Sequence, residues 1–91
     1  MRKLYVLVRS DLSKAQQAVQ AGHAVAEACL SGIEWKNGTL VYLKVRDLDA
    51  LLDWYEKIGN SFPFYEPYYK NKMTALAVLG NQPGFEELQL L

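Results

Sequence analysis

Leu4-Tyr5-Val6-Leu7-Val8 is an unbroken run of β-forming residues, with Arg2 and Lys3 before it and Arg9 and Asp11 after it. A strand with one wet face alternates apolar and polar residues, so a run that is apolar throughout fits a strand covered on both faces. The stretch predicts a strand in the middle of a sheet. Met73 to Leu79, apolar apart from Thr74, reads as a second central strand.

Between these two runs the chain alternates. Ser13-Lys14-Ala15-Gln16 fits an S-x-x-Q capping box, in which a hydroxyl and an amide side chain satisfy free N–H groups at a helix start. It predicts a helix over 14–30. At ~100° per residue, Ala15, Ala18, Val19, Gly22, Ala26, Cys29 and Leu30 share one side, and their small size suits close approach to a sheet. Gln16, Gln20, His23 and Glu27 form a polar stripe beside them, within an arc of roughly 60°. After the turn dipeptide Asn37-Gly38, residues 39–45 predict a second strand. Asp47 is the expected N-cap of a second helix with Leu48, Leu51, Leu52 and Tyr55 toward the sheet and Gly59 as its closing C′ residue. Phe62 to Tyr65 predicts a short third strand, placed on an edge because Pro63 has no N–H to give. Asn81 to Gly84 breaks the chain, and 85–91 is a tail that can dock apolar residues. The order β-α-β-α-β-β predicts an α/β fold, with a mixed, mostly four-stranded sheet, helices packed on its faces, and residues 1–91 as one domain.

Composition narrows the functional classes. With 51% hydrophobic and 22% charged residues the chain has the mix of a globular protein. Ten basic and ten acidic side chains cancel, so no whole-molecule field draws it to phosphate and any nucleic-acid contact must be local. One cysteine, Cys29, and one histidine, His23, cannot assemble a zinc site, and neither a metal nor a cofactor is expected. Arg9, Ser10 and Asp11 end the first apolar run too soon for a signal peptide. No segment reaches the roughly 18 apolar residues of a membrane helix, so no membrane partner is expected and the expected location is the cytoplasm.

His23 has the one side chain whose ordinary titration lies close to neutral pH, which suits a general base; equally, it can complete a helix surface. Glu27, one turn on, can orient the imidazole or simply be solvated. Glu66-Pro67-Tyr68-Tyr69-Lys70-Asn71-Lys72 gathers a carboxylate, phenols and ammonium groups before a buried strand. Ammonium groups pair with phosphate and aromatic faces stack on bases, so the loop suits a phosphate-and-base ligand, or it is a solvated hairpin loop with incidental aromatics. No nucleophile motif, P-loop or dinucleotide fingerprint is present, so activated water is the expected nucleophile if the protein is a hydrolase.

Three stretches together resemble the type II peptidyl-tRNA hydrolases: Leu4 to Leu12 ending in Arg9-Ser10-Asp11-Leu12, then Gln20-Ala21-Gly22-His23-Ala24, then Thr74-Ala75-Leu76-Ala77-Val78. The closing Leu88-Gln89-Leu90-Leu91 echoes the family's L-x-L-L, so the resemblance spans nearly the whole chain. Glu66-Pro67-Tyr68 is similar to the E-P-D loop of compact relatives. The resemblance implies a translation-linked enzyme that uses water to cleave the ester between a peptide and the 3′ ribose of tRNA. It implies His23, Glu66, Thr74 and Gln20 as catalytic residues, with Thr74 and Gln20 orienting the ester and Glu66 or His23 assisting water. Lys14, Gln16, Tyr68, Lys70 and Lys72 would hold the tRNA acceptor end. Two positions depart: Gln16 stands where full-length members carry lysine, and Tyr68 where compact relatives carry aspartate. Two alternatives follow, a relative that binds an RNA end or nucleotide without turnover, and a small homodimeric interaction module using Trp35, Trp54 and Phe62.

Overall fold

A computed structural model describes residues 2–91. Six main elements follow one another as β1 (Leu4–Arg9), α1 (Lys14–Leu30), β2 (Leu40–Val45), α2 (Leu48–Lys57), β3 (Phe62–Glu66) and β4 (Lys72–Leu79), with single 3-10 turns at Pro67–Tyr69 and Phe85–Glu87. The sheet order is β2-β1-β4-β3, so the two apolar runs lie side by side in the centre as their sequence requires. β1 pairs parallel with β2 and antiparallel with β4, and β4 pairs antiparallel with β3. Both helices thus cross over between parallel strands, which need such connections.

The helices lie on opposite faces. Leu4, Val6 and Val8 of β1, with Ala75 and Ala77 of β4, meet Ala21, Ala24 and Ala28 of α1. Leu7, Leu43, Leu76 and Val78 meet Leu51, Ile58 and Phe85 on the α2 face. Alternate residues of β1 feed alternate cores, as a period of two demands. Both sheet edges are blunted. The tail closes the β2 edge through Lys44 N–H to Gln89 O (2.8 Å) and Leu91 N–H to Tyr42 O (3.0 Å). β3 has Pro63 and an irregular register.

α1 has the expected bounds but turns the other way. The side carrying Ala15, Ala18, Val19, Gly22, Ala26, Cys29 and Leu30 faces solvent, with Val19 47% and Leu30 84% exposed. Gln20, Ala21, Ala24 and Ala28 are buried instead. Alanines are spread around the whole helix, so its periodicity cannot choose a face. The choice falls to what the sheet offers, namely short Ala75 and Ala77 and, as shown below, a set of partners for Gln20.

Three further expectations are corrected. Leu52 and Tyr55 are exposed while Trp54 packs inward on Phe85, so the buried stripe of α2 is Leu48, Leu51 and Trp54. α2 closes through Ile58, whose buried side chain pulls the backbone into an extended conformation; Gly59 does not take a positive φ, whereas Gly32 after α1 does, at 82°. Trp35, Trp54 and Phe62, read as an interface for a second copy, are packed against the protein's own two cores. No helix among the described residues is long and apolar enough to cross a membrane.

The orientation of α1 is tested by overpacking. Ala24→Leu forces extra volume against β4 and is expected to cost about 1–3 kcal/mol. Ala26→Leu, on the solvent side, should change stability by no more than about 0.5 kcal/mol. Urea denaturation of both variants measures the difference; a larger loss at Ala26 would reverse the assignment.

Candidate functional site

The seam between α1 and the β3 edge is where distant parts of the sequence meet. It begins with an irregularity in the sheet. Pairing passes from Phe64 opposite Ala75 to Tyr65 opposite Met73, so Thr74 is an extra residue on β4. Such a bulge bends its strand and re-aims a side chain. Here it lets the Thr74 hydroxyl reach α1, where it donates to Gln20 Oε1 at 2.7 Å.

Gln20 continues the chain of bonds. Its Nε2 donates to Glu66 Oε1 at 2.9 Å and to Gln16 Oε1 at 3.2 Å. Gln20 and Thr74 are both fully buried. An amide without partners at such a depth would be costly, so its three bonds explain how a glutamine can lie inside an alanine-lined contact. Gln16, expected to return to the Ser13 backbone in a capping box, accepts from Gln20 instead. Only the Ser13 half of the box forms, with Gln16 N–H donating to Ser13 Oγ at 3.2 Å.

Glu66 is held from two sides. Its second oxygen accepts the Tyr68 N–H at 3.2 Å, capping the 3-10 turn that starts at Pro67. The Gln20 amide first, then the Tyr68 amide and the nearby His23 imidazole, lower the pKa of this carboxyl below its ordinary range. The group is therefore a fixed, ionised carboxylate. Alternation along β3 puts Phe64 on the same face as Glu66, and His23 lies flat on Phe64, with ring centroids 4.4 Å apart and planes 8° from parallel. His23 is exposed and forms no hydrogen bond with Glu27 among the described residues.

The substrate-binding expectations divide. Tyr68 is 83% exposed beside the carboxylate and meets Tyr69 edge to face. Lys72 is the cross-strand partner of Glu66, and Lys70 lies in the intervening turn with a positive φ of 57°. Lys14 is elsewhere, lining a cleft of about 500 Å³ with Ser10, Gln17 and Lys44 on the flank of α1 nearer β2. Thr74 and Gln20, expected to touch an ester, are closed to solvent with their polar atoms engaged. In this arrangement Gln20 bonds to Glu66, and Thr74 supports that bond through Gln20.

Two contributors were not singled out from sequence. Phe64 could have been found from its i, i+2 relation to Glu66. Arg9 pairs with Asp11 through Nε at 3.0 Å and Nη2 at 2.9 Å, and its Nη1 donates to the Met73 carbonyl at 3.2 Å, beside the bulge. Nothing in the sequence announced that link across the strands.

No protein-family model matches the chain, and no curated protein matches it either.

Two measurements probe the cluster. Gln20→Leu strands the Thr74 hydroxyl in the core and is expected to destabilise by about 1–3 kcal/mol. Adding Thr74→Val should recover part of that loss, because the core then holds no hydroxyl without an acceptor. A double variant as unstable as the sum of the singles would mean that the two residues do not interact. Acid titration tests Glu66. A folded-state pKa lowered from the ordinary 4.5 contributes stability fully present above that value and lost as pH falls through the lowered one. Glu66→Gln should flatten that part of the acid limb, leaving the part due to Asp47, lowered chiefly by its cap bond to the Ala50 N–H.

Proposed function

We propose that this chain is a peptidyl-tRNA hydrolase-like enzyme of translation, acting in the cytoplasm on the ester between a peptide and the tRNA 3′ ribose. The observation that carries the reading is the convergence of Gln20, Glu66 and Thr74, residues up to 54 positions apart, on one bonded cluster beside the only histidine. These are the residues through which the chain resembles that family.

The proposed chemistry uses the residues of this seam. Neutral His23 takes a proton from a water that attacks the ester carbonyl. The carboxylate of Glu66 favours the resulting imidazolium. As the bond from the acyl carbon to the ribose 3′ oxygen breaks, the imidazolium returns the proton to that oxygen, leaving a peptide carboxylic acid and a free 3′ hydroxyl. Gln20 and Thr74 hold Glu66 in place. Gln16 accepts from Gln20 through its oxygen, which leaves its amide N–H groups available to the developing oxyanion, a neutral donor where the resembled family has an ammonium group. Lys70 and Lys72 pair with acceptor-end phosphates, and Tyr68 offers a stacking face to an unpaired base.

Turnover of an N-blocked aminoacyl-tRNA tests the reading. His23→Ala is expected to lower kcat by about 10²–10⁴-fold, the usual contribution of a positioned acid–base group. Equal cleavage by the variant would remove His23 from the reaction, and no cleavage by the wild type would remove the activity. One observation favours a second reading, an RNA-end-binding relative without turnover: Tyr68 replaces the loop carboxylate of compact relatives and is itself exposed. Under that reading the wild type binds acceptor-end RNA without cleaving it, and binding weakens with salt and with Lys70→Gln and Lys72→Gln.

A further inference from the structure

The stack of His23 on Phe64 is more ordered than an exposed helical histidine needs. An imidazole on a helix surface normally samples its staggered rotamers, and each χ2 in a broad range. Here the ring has no hydrogen bond among the described residues to restrict it. What it has is a flat aromatic surface 4.4 Å away and nearly parallel, on a residue that is itself held. Phe64 is half-buried against the alanine face of α1 and is the last residue in regular register before the Thr74 bulge. Glu66, two residues further along the same strand face, is fixed by Gln20 and Tyr68. One strand therefore carries both the surface under the imidazole and the carboxylate beside it.

We infer that Phe64 is a positioning residue for His23: its ring fixes the plane and rotamer of the imidazole, so that the proton-transferring edge is presented beside Glu66 and not swung into solvent. Phe64 touches neither water nor ester in this role and acts through the histidine. The aromatic face has a second effect of the same sign, because its quadrupole attracts the imidazolium formed during proton transfer more strongly than the neutral ring. The bulge fits the arrangement. It lets Thr74 reach Gln20 without disturbing the pairing of Phe64 with Ala75, so the carboxylate support and the stacking surface are built from neighbouring positions.

The inference rests on the hydrolase reading, and the test separates the two. With a single histidine in the chain, the ring protons of His23 give one unambiguous set of NMR signals. In the wild type they should be displaced upfield by the ring current of Phe64. Phe64→Leu keeps an apolar side chain but removes the flat surface; it should return those signals to ordinary positions. On N-blocked aminoacyl-tRNA it should lower kcat by about 10–100-fold with KM little changed, since small misplacements of a reacting group carry penalties of that order. Phe64→Tyr keeps the surface and should retain both the displaced signals and most of kcat. Should Phe64→Leu be too unstable to study, Phe64→Tyr and Phe64→Trp are compared, and the upfield displacement and kcat must be retained together. Unchanged histidine signals in Phe64→Leu, or a Phe64→Leu enzyme with wild-type kcat, would overturn the positioning role while leaving the hydrolase reading intact. A wild type that shows the stacked signals but no turnover would overturn the hydrolase reading and with it Phe64's part in a reaction.

Discussion

The arrangement at the α1–β3 seam depends on one buried amide. Gln20 has no exposure, yet its oxygen accepts from Thr74 and its nitrogen donates to Gln16 and Glu66, so three elements are tied through one side chain. In a low-dielectric contact such bonds are stronger than in water, and losing a partner costs more. That asymmetry sets the rotation of α1. Turned half-way round, the helix would still bury small residues, but Gln20 would be lost to solvent and the Thr74 hydroxyl left in the core without an acceptor.

The position of His23 is a consequence of that rotation. It lies next to Gln20 on the rim of the buried face, where the helix surface meets β3, and there it finds Phe64 below it and Glu66 nearby. The sheet contributes rigidity and the bulge contributes reach. Arg9 holds the start of β4 through the Met73 carbonyl while locked to Asp11, so the strand end that carries the bulge is tied to β1. The loop from Pro67 to Asn71 is different in kind. It is mostly exposed, takes two consecutive positive φ values at Lys70 and Asn71, and carries Tyr68 and Lys70 outward. A rigid cluster with a polar, aromatic loop beside it is how binding surfaces are commonly built on a scaffold.

Much of this fold was legible in the sequence, because runs such as Leu4 to Val8 and Met73 to Leu79 admit few alternatives and Ser13 and Asp47 mark their helix starts. The β-α-β-α-β-β order and four-stranded mixed sheet follow from those signals. The facing of α1 did not, since alanine occurs on every side of that helix and the deciding contacts are tertiary. The same limit applied to the cluster. Residues 20, 23, 66 and 74 were named by their types and by motif resemblance, but the burial of Gln20 and Thr74 comes from the bulge, and a one-residue register irregularity leaves no mark in composition or period. Lys14 lies on the other flank of α1 for a related reason. Proximity in sequence to Gln16 says nothing about proximity in space when the two stand on opposite sides of a helix.

The side-chain amide of Gln20 is the most direct probe of the central claim. If it is buried and bonded to Glu66 and Gln16, its two protons should exchange slowly with water and show nuclear Overhauser contacts to Thr74 and to Glu66. Exchange as fast as that of the exposed Gln89 amide, with no contact to either residue, would contradict the rotation of α1 and dissolve the cluster with it.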